Sequence, residues 1–407
     1  MIICSSFSLT TPVNSVVISD LSYCIPGTIT TIQTGPAKFP PGLPQPFPPD
    51  APYRDAKNIH DKYTAGGADV YISENRANLD SIKIKSQIVS AVFWNVENLY
   101  DPYDDTTKLD DEFTSAGTRH WNYTRFRLKL NHVAKTLLAA GRWDPPAIAG
   151  LCEVENRYVL NKLIYETPLK PWKYKFIHYE SSDRRGVDVA MLYRPSVLKV
   201  LSSRRVPIRF PFDTLSMTRD ILMVQGILFG CDTLTLFVNH WPSRRGGYLG
   251  SQPRRNFVAT VLLRQVDSIR QANPRANILI MGDFNDEPTS ESLVSVLGAK
   301  TDTIPFVETS LFNLMGIRNR NKTEGTLKYR DQWSTFDQFI VSGPMLKGLS
   351  GLRTGIHARA FRAPFLLEED NTYFGEKLNR TYVGPRYHGG FSDHLPVIAE
   401  IRQTIRQ

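Results

Sequence analysis

No stretch of the 407-residue sequence approaches the about 20 consecutive apolar residues that a membrane-spanning helix needs, so a transmembrane segment is excluded. Cysteine is scarce: Cys4, Cys24, Cys152 and Cys231 form no CxxC pair, which argues against a thiolate zinc site or a thioredoxin-like centre. Cys152 and Cys231 sit in apolar runs and read as small buried hydrophobes. There is no GxxxxGK phosphate loop, which disfavours nucleotide-driven kinase or ATPase chemistry, and no GxSxG elbow, which disfavours a serine esterase. No internal repeat is visible. The N-terminus lacks a basic segment ahead of an apolar run and does not read as a signal peptide, so no compartment is assigned.

What is present is uneven along the chain. The first 89 residues carry 7 basic and 7 acidic groups, and eight prolines fall between Pro36 and Pro52. That density forbids helix and central strand, so residues 1–89 read as a weakly structured extension with a Pro-rich linker. From Ser90 the pattern becomes regular. Ala91–Val96, Ala147–Cys152, Tyr174–His178, Val187–Tyr193, Ile221–Phe229, Leu234–Asn239, Asn277–Met281, Phe336–Val341 and Leu395–Ile401 read as strands. Asn122 is placed to cap a helix bearing Phe126, Leu130, Val133, Leu137 and Leu138 and ending near Gly141. A short helix runs through Leu160 and Leu163, and Asn256–Ile269 reads as an amphipathic helix. Residues 90–405 are thus expected to form one α/β domain around a large sheet core.

Polar residues interrupt these strands at their ends: Asn95, Glu153, Asn239 with His240, Asp283 with Asn285, Asp337, and Asp393-His394. Any one of them is an ordinary turn former or helix cap. As a set, carboxylates, histidines and asparagines at the edges of apolar strands describe one rim of a sheet, where a rigid scaffold can position a site. Carboxylates with Asn suit a hard cation such as Mg²⁺. A histidine with a carboxylate to orient it suits a base that activates water. Metal-assisted hydrolysis of a phosphate ester fits the residues best. The charge agrees: residues 184–274 hold 14 basic against 5 acidic groups, so the formal net charge of +9 lies there, in a stretch with four Arg-Arg pairs. A polyanionic partner such as nucleic acid is expected.

Five motifs occur in order: Phe93-Trp94-Asn95-Val96-Glu97-Asn98, Leu151-Cys152-Glu153-Val154-Glu155, Asn239-His240-Trp241-Pro242-Ser243-Arg244, Gly282-Asp283-Phe284-Asn285 and Ser392-Asp393-His394-Leu395-Pro396. In these residues the chain resembles the endonuclease/exonuclease/phosphatase superfamily of DNase I-like enzymes, and looks closest to its bacterial members. The resemblance covers about residues 90–405. It implies a four-layer α/β/β/α sandwich and a need for Mg²⁺, or Mn²⁺ in its place. It implies that Glu153, Asn95 and Asp393 form the metal site, and that His394 is the general base or a phosphate contact, oriented by Asp337. Asp283 would align the attacking water, and Asn285 would stabilise charge developing on the phosphate. His240 would be the acid for the leaving oxygen. Arg184, Arg185 and Arg244 are candidate substrate contacts. Glu97 stands where DNA-repair members carry a different acidic residue, and its role is left open.

The leading expectation is a monomeric, Mg²⁺-dependent phosphodiesterase acting on nucleic acid, with His394 as base. The alternatives are a phosphatase or a lipid or sphingomyelin-type phosphodiesterase on the same scaffold, and a non-catalytic binding module. A lipid enzyme would use the aromatic insertion at 357–390, which includes Phe361, Phe365, Leu366, Leu367, Tyr373 and Phe374. A binding module would be expected to have lost Glu153, Asp283 or His394, and all three are present.

Overall fold

The structure, a computed structural model, describes residues 20–25, 28–33, 87–142, 144–318 and 325–404. The chain divides into two compact units, Met1–Lys85 and Ser86–Gln407. In the first, β1 (Asp20–Ile25) pairs antiparallel with β2 (Thr28–Gln33). The Pro-rich linker expected over residues 36–52 lies outside the described residues.

The second unit begins with β3 (Ile88–Leu99), α1 (Tyr123–Ala140), β4 (Ile148–Val154), α2 (Arg157–Tyr165), β5 (Lys175–His178) and β6 (Asp188–Tyr193). It continues with β7 (Leu198–Val206), β8 (Ile221–Leu228), β9 (Asp232–His240), α3 (Tyr248–Ala272) and β10 (Asn277–Asp283). Next come β11 (Ala299–Lys300), β12 (Leu311–Asn313), α4 (Leu314–Arg318), the hairpin β13 (Leu327–Tyr329) and β14 (Gln332–Ser334), β15 (Asp337–Ser342) and α5 (Gly343–Lys347). Then follow β16 (Leu352–Thr354), β17 (Arg359–Ala360), and two small hairpins, β18 (Leu367–Glu369) with β19 (Glu376–Leu378) and β20 (Tyr382–Val383) with β21 (Arg386–Tyr387). Strand β22 (Val397–Gln403) ends the fold.

Two seven-stranded sheets result. One has the order β16-β22-β3-β4-β6-β5 with β17 added on β22, and the other β11-β12-β15-β10-β9-β8-β7. Their central strands are apolar on both faces because both faces are covered. Between the sheets, Ala91, Phe93, Ile148, Cys152 and Met191 meet Val224, Leu236, Val238, Leu279, Met281, Phe339 and Val341. On the outer side of the first sheet, Val92, Trp94, Val96 and Leu151 pack against Phe126, Val133 and Leu137 of α1 and Leu160 and Leu163 of α2. On the outer side of the second, Phe237, Ile278, Ile280 and Ile340 pack against Val258, Leu262 and Val266 of α3. The layers run α/β/β/α, the sandwich that the motifs imply.

Asn122 caps α1 by accepting from the Arg125 N–H at 3.1 Å, and Asn156 caps α2 by accepting from Val159 N–H at 3.0 Å. Helix α3 begins eight residues before the expected Asn256, with Pro253 inside it. The carbonyl that Pro253 leaves unpaired belongs to Leu249, which is 77% exposed, so water can satisfy it.

Gly282 is a point of close strand approach just before the rim. A Cβ there would lie 2.6 Å from the Asn239 Cβ and 2.7 Å from its carbonyl oxygen, and both atoms belong to the neighbouring strand. Gly282→Ala is therefore expected to lower stability by about 1–3 kcal/mol. Urea unfolding measures this, and an unchanged midpoint would contradict the packing described.

Candidate active site

The site is a consequence of strand direction. Strands β3 and β4 run parallel, as do β9 and β10, so Glu153, His240 and Asp283 at strand ends, and Asn95 at the irregularity of β3, come to one rim. Strand β15 runs antiparallel to β10 and starts there, with Asp337 directly opposite Asp283. The Ser392-Asp393-His394 turn leads into β22 at the same rim. It is held by two buried hydrogen bonds: Trp94 Nε1 donates to the His394 carbonyl at 2.8 Å, and Ser392 Oγ donates to the Asn95 carbonyl at 2.7 Å.

Local irregularity aims the side chains. The β3–β4 register slips between Asn95 and Leu99, and the β4–β6 register slips at Glu153. Glu97, Asn98, Glu153 and Asn285 all take left-handed backbone, with φ of 51°, 54°, 61° and 52°. Each costs of order 1–3 kcal/mol for a side-chain-bearing residue and is retained where the surroundings fix it, often at functional sites. The bulge takes Glu153 out of the strand's alternation. Its Oε2 accepts from Asn98 N–H at 2.9 Å, and its Oε1 lies 4.0 Å from His240 Nε2.

His394 sits between two buried carboxylates. Its Nδ1 lies 2.7 Å from Asp337 Oδ2, and its Nε2 lies 3.8 Å from Asp283 Oδ2. Burial opposes charge on the ring, but Asp337 and Asp283 outweigh it and hold the His394 pKa well above the usual histidine value. Asp283 is pushed up to about 6 by burial and by Asp337, against the pull of His394 and of the Asn95 amide, which donates to it at 3.1 Å. A ring held protonated by two carboxylates is a poor base. Without a metal the ring is placed to donate a charged hydrogen bond, and Asp283 beside it is a second group that could receive a proton.

His240 goes the other way. Burial, with Arg219, Arg185 and His394 nearby, pushes its pKa well below 6.5. The acid role expected of His240 requires the ring to be charged, which this burial opposes. Asn285 lies beside Asp283, its N–H donating to Asp283 Oδ1 at 2.9 Å and its amide to the Trp241 carbonyl at 3.0 Å.

Asp393 turns toward the insertion. Arg380 donates to Asp393 Oδ2 at 2.7 Å, and its Nε is 3.5 Å from Glu97 Oε1. The Thr381 N–H donates to Glu97 Oε2 at 2.7 Å, and buried Lys129 of α1 donates to Thr381 Oγ1 and the Phe391 carbonyl. Burial, and then Asp393, push the Glu97 pKa up to about 7. Glu97 therefore belongs to the cluster, and Arg380 enters it from a segment 283 residues away in sequence. The apolar part of the insertion does not form an open face: Leu366 is buried, and Phe361, Phe365 and Leu367 pack on the outer core. Tyr373 and Phe374 are exposed.

The rim opens on a cleft of about 530 Å³, lined by Asn95, Glu153, His240, Asp283, Asn285 and His394 and by Arg184, Arg185, Arg219, Arg245 and Arg254. The four Arg-Arg pairs divide. Arg244 does not line the cleft; it donates to the Asn285 carbonyl at 2.9 Å and to Asp286 Oδ1 at 3.1 Å, and it stacks on Tyr248 and Phe336. In this position it braces Asp286 and the Asn285 carbonyl. Arg255 is wholly buried, 2.8 Å from Asp286 Oδ2. Arg204 and Arg205 lie on β7. Arg219, which sequence reasoning missed, is buried in the cleft wall, paired with Asp183 at 3.2 Å and bonded to the Trp241 carbonyl at 2.8 Å.

As to a cation, Glu153, Glu97, Asp393 and Asp283 offer hard oxygen donors along the rim, though among the described residues no three of them bring ligand atoms within 4.8 Å of one another, and two of these acids have raised pKa values that a nearby positive charge would relieve. Cys152 lies within 4.8 Å of ligand atoms on His240 and Asp283, but burial raises its thiol pKa and keeps it protonated, which disfavours a soft metal. The donor set fits a hard divalent ion.

A four-layer sandwich with carboxylates, histidines and asparagines on one rim defines a phosphoric-ester hydrolase. Residues 90–403 match the family model described as "Endonuclease/Exonuclease/phosphatase family", and the chain belongs to that family of metal-dependent phosphoric-ester hydrolases. No curated protein matches the sequence. Among solved structures, a family protein from Bacteroides thetaiotaomicron shares the fold at 12% identity, covering 79% of this chain and 100% of that one, with a TM-score of 0.50. Truncated TDP2 from Caenorhabditis elegans aligns at 18% identity over 77% and 97% of the two chains, with a TM-score of 0.45. The catalytic domain of human Nocturnin with bound sulfate aligns at 15% over 79% and 97%, with a TM-score of 0.49. Among the described residues no helix is long and apolar enough to cross a membrane.

The two kinds of arginine separate in stability measurements. Arg255→Leu strands the buried Asp286 carboxylate with Arg244 as its remaining cation and is expected to cost about 3–5 kcal/mol. Arg245→Ala, at an exposed position, is expected to stay within about 0.5 kcal/mol of wild type. Equal losses in thermal melts would contradict this division.

Proposed function

We propose that the chain is a divalent-metal-dependent phosphodiesterase acting on nucleic acid. The observation that carries this reading is the Arg-lined cleft opening directly on His394, Asp283 and Glu153. Arg184 and Arg245 are exposed there, with no side-chain partner among the described residues, and are free to meet phosphates. A lipid enzyme would need the insertion's apolar residues on the surface, whereas Leu366 is buried and Phe361, Phe365 and Leu367 are half-buried against the outer core.

Glu153 would hold the metal through its free Oε1, with Asn95 alongside. Asp393 and Glu97 would add negative charge, tempered by Arg380. When bound, a divalent ion polarises a phosphoryl oxygen and makes water a better nucleophile. The protein's own groups do the rest. Asp283, next to Asn95 and Asn285, accepts the proton of the attacking water. His394, fixed by Asp337, donates a charged hydrogen bond to a phosphate oxygen as negative charge develops. Asn285 uses its remaining amide hydrogen in the same way. His240, neutral, supports Asp283 and Glu153 from the side. Arg184, Arg185 and Arg245 bind flanking phosphates.

The test is a substrate panel with Mg²⁺ or EDTA: single-stranded and duplex oligonucleotides, a sugar phosphate and a phospholipid headgroup. Oligonucleotide cleavage is expected, abolished by EDTA and by Glu153→Gln, and reduced on the order of 10²–10⁴-fold by His394→Gln. Turnover confined to the sugar phosphate or headgroup would replace the nucleic-acid reading. Arg184→Ala and Arg245→Ala should each weaken oligonucleotide binding and reduce the slope of log K against log salt by about 1. An unchanged slope would remove these arginines from the substrate path.

A further inference from the structure

Away from the rim cluster, the ends of β5 and β6 bring together a second set of ligating groups. His178 closes β5 and Asp188 opens β6, and the loop between them, residues 179–187, carries Asp183, Arg184 and Arg185 into the cleft. His178 is 4% exposed and Asp188 1%. Both ring nitrogens of His178, and Oδ2 of Asp188, are buried without a hydrogen-bond partner. Such atoms each cost about 1–3 kcal/mol when left unmet, and native structures rarely tolerate them.

The spacing says what is missing. His178 Nε2 lies 3.7 Å from Asp188 Oδ2, and Nδ1 lies 4.0 Å from Glu180 Oε1. Both distances are too long for a hydrogen bond. Two ligands bound at about 2.0–2.2 Å to one tetrahedral ion stand about 3.4 Å apart, so the nearer pair is almost in place. An imidazole gives a single nitrogen to an ion, and one ligand atom from each of His178, Glu180 and Asp188 lies within 4.8 Å of the others. Asp188 is oriented by Ser181, whose N–H donates to Oδ1 at 3.1 Å, and its carboxyl also meets that of Glu180. Glu180 is the solvent-side member, its side chain 55% exposed, and Lys108 Nζ approaches its other oxygen at 3.9 Å.

We propose that His178, Glu180 and Asp188 form a structural site for a divalent transition-metal ion of the Zn²⁺ type. It would be distinct from the hydrolytic centre and would staple the base of the loop that presents Arg184 and Arg185. One imidazole with two carboxylates and no sulfur selects a borderline ion over Mg²⁺ or Ca²⁺. With three protein ligands, the fourth position is left to water.

The test counts Zn²⁺ in the full chain after chelation and dialysis. It uses a Glu153→Gln background, so that the hydrolytic centre is counted separately. The parent is expected to retain one more equivalent of Zn²⁺ than Asp188→Asn, and to gain a Zn²⁺-dependent rise in Tm that the variant lacks. Should Asp188→Asn fail to fold, Glu180→Gln at the exposed position carries the test, with Zn²⁺ affinity expected to fall by about tenfold or more. Equal stoichiometry and affinity in the parent and Glu180→Gln would overturn the site, whatever the outcome of the cleavage assays.

Discussion

Everything at this rim depends on carboxylates buried within reach of one another. The register of β10 against β15 sets Asp283 opposite Asp337, both inside the protein. Two such groups cannot both be charged in an apolar setting without a cation between or beside them. His394 is that cation on one side, bonded to Asp337 and facing Asp283. On the other side, Glu97 is also buried, beside half-buried Glu153 and Asp393, with Arg380 and Lys129 as partial answers. A cluster with more buried negative than positive charge is a standing invitation to a hard divalent ion, and the cleft beside it supplies the arginines that a phosphate chain needs.

The fold serves this arrangement through strand polarity. Parallel pairing of β3 with β4 and of β9 with β10 delivers four strand ends to one edge, and face-to-face packing of the sheets keeps those ends rigid. Bulges at Glu97 and Glu153 then turn side chains that regular pleating would have pointed elsewhere. The insertion between β17 and β22 closes the site from outside. Its apolar residues anchor it to the outer core, and that anchor brings Arg380 and Thr381 onto Asp393 and Glu97.

Much of this is legible in the sequence. The double-faced apolar runs that became β3, β4, β9, β10 and β15 declare themselves because both faces of those strands are covered. The polar residues that end them mark the rim for the same reason. Strand β7 escaped, since Leu198–Val206 is an edge strand whose Ser and Arg residues face solvent and break the apolar signal. The start of α3 escaped because Pro253 looks like a helix breaker wherever its stranded carbonyl cannot be seen to reach water. Charge state was the least legible property. Nothing near His240 or His394 in sequence says that one ring is neutral and the other charged, because Asp337, Asp283, Arg219 and Arg185 all act across long loops. The same holds for the arginines: adjacent residues such as Arg244 and Arg245 take opposite jobs, one bracing Asp286 and one facing the cleft.

The central claim is that buried carboxylates hold His394 charged at a site that also receives a divalent ion. The direct measurement is the His394 titration by NMR in full-length protein, first with EDTA and then with saturating Mg²⁺. The account predicts a pKa well above 6.5 without metal, and a fall when Mg²⁺ adds positive charge beside Asp283 and Glu153. A metal-free pKa at or below 6.5, unmoved by Mg²⁺, would contradict it.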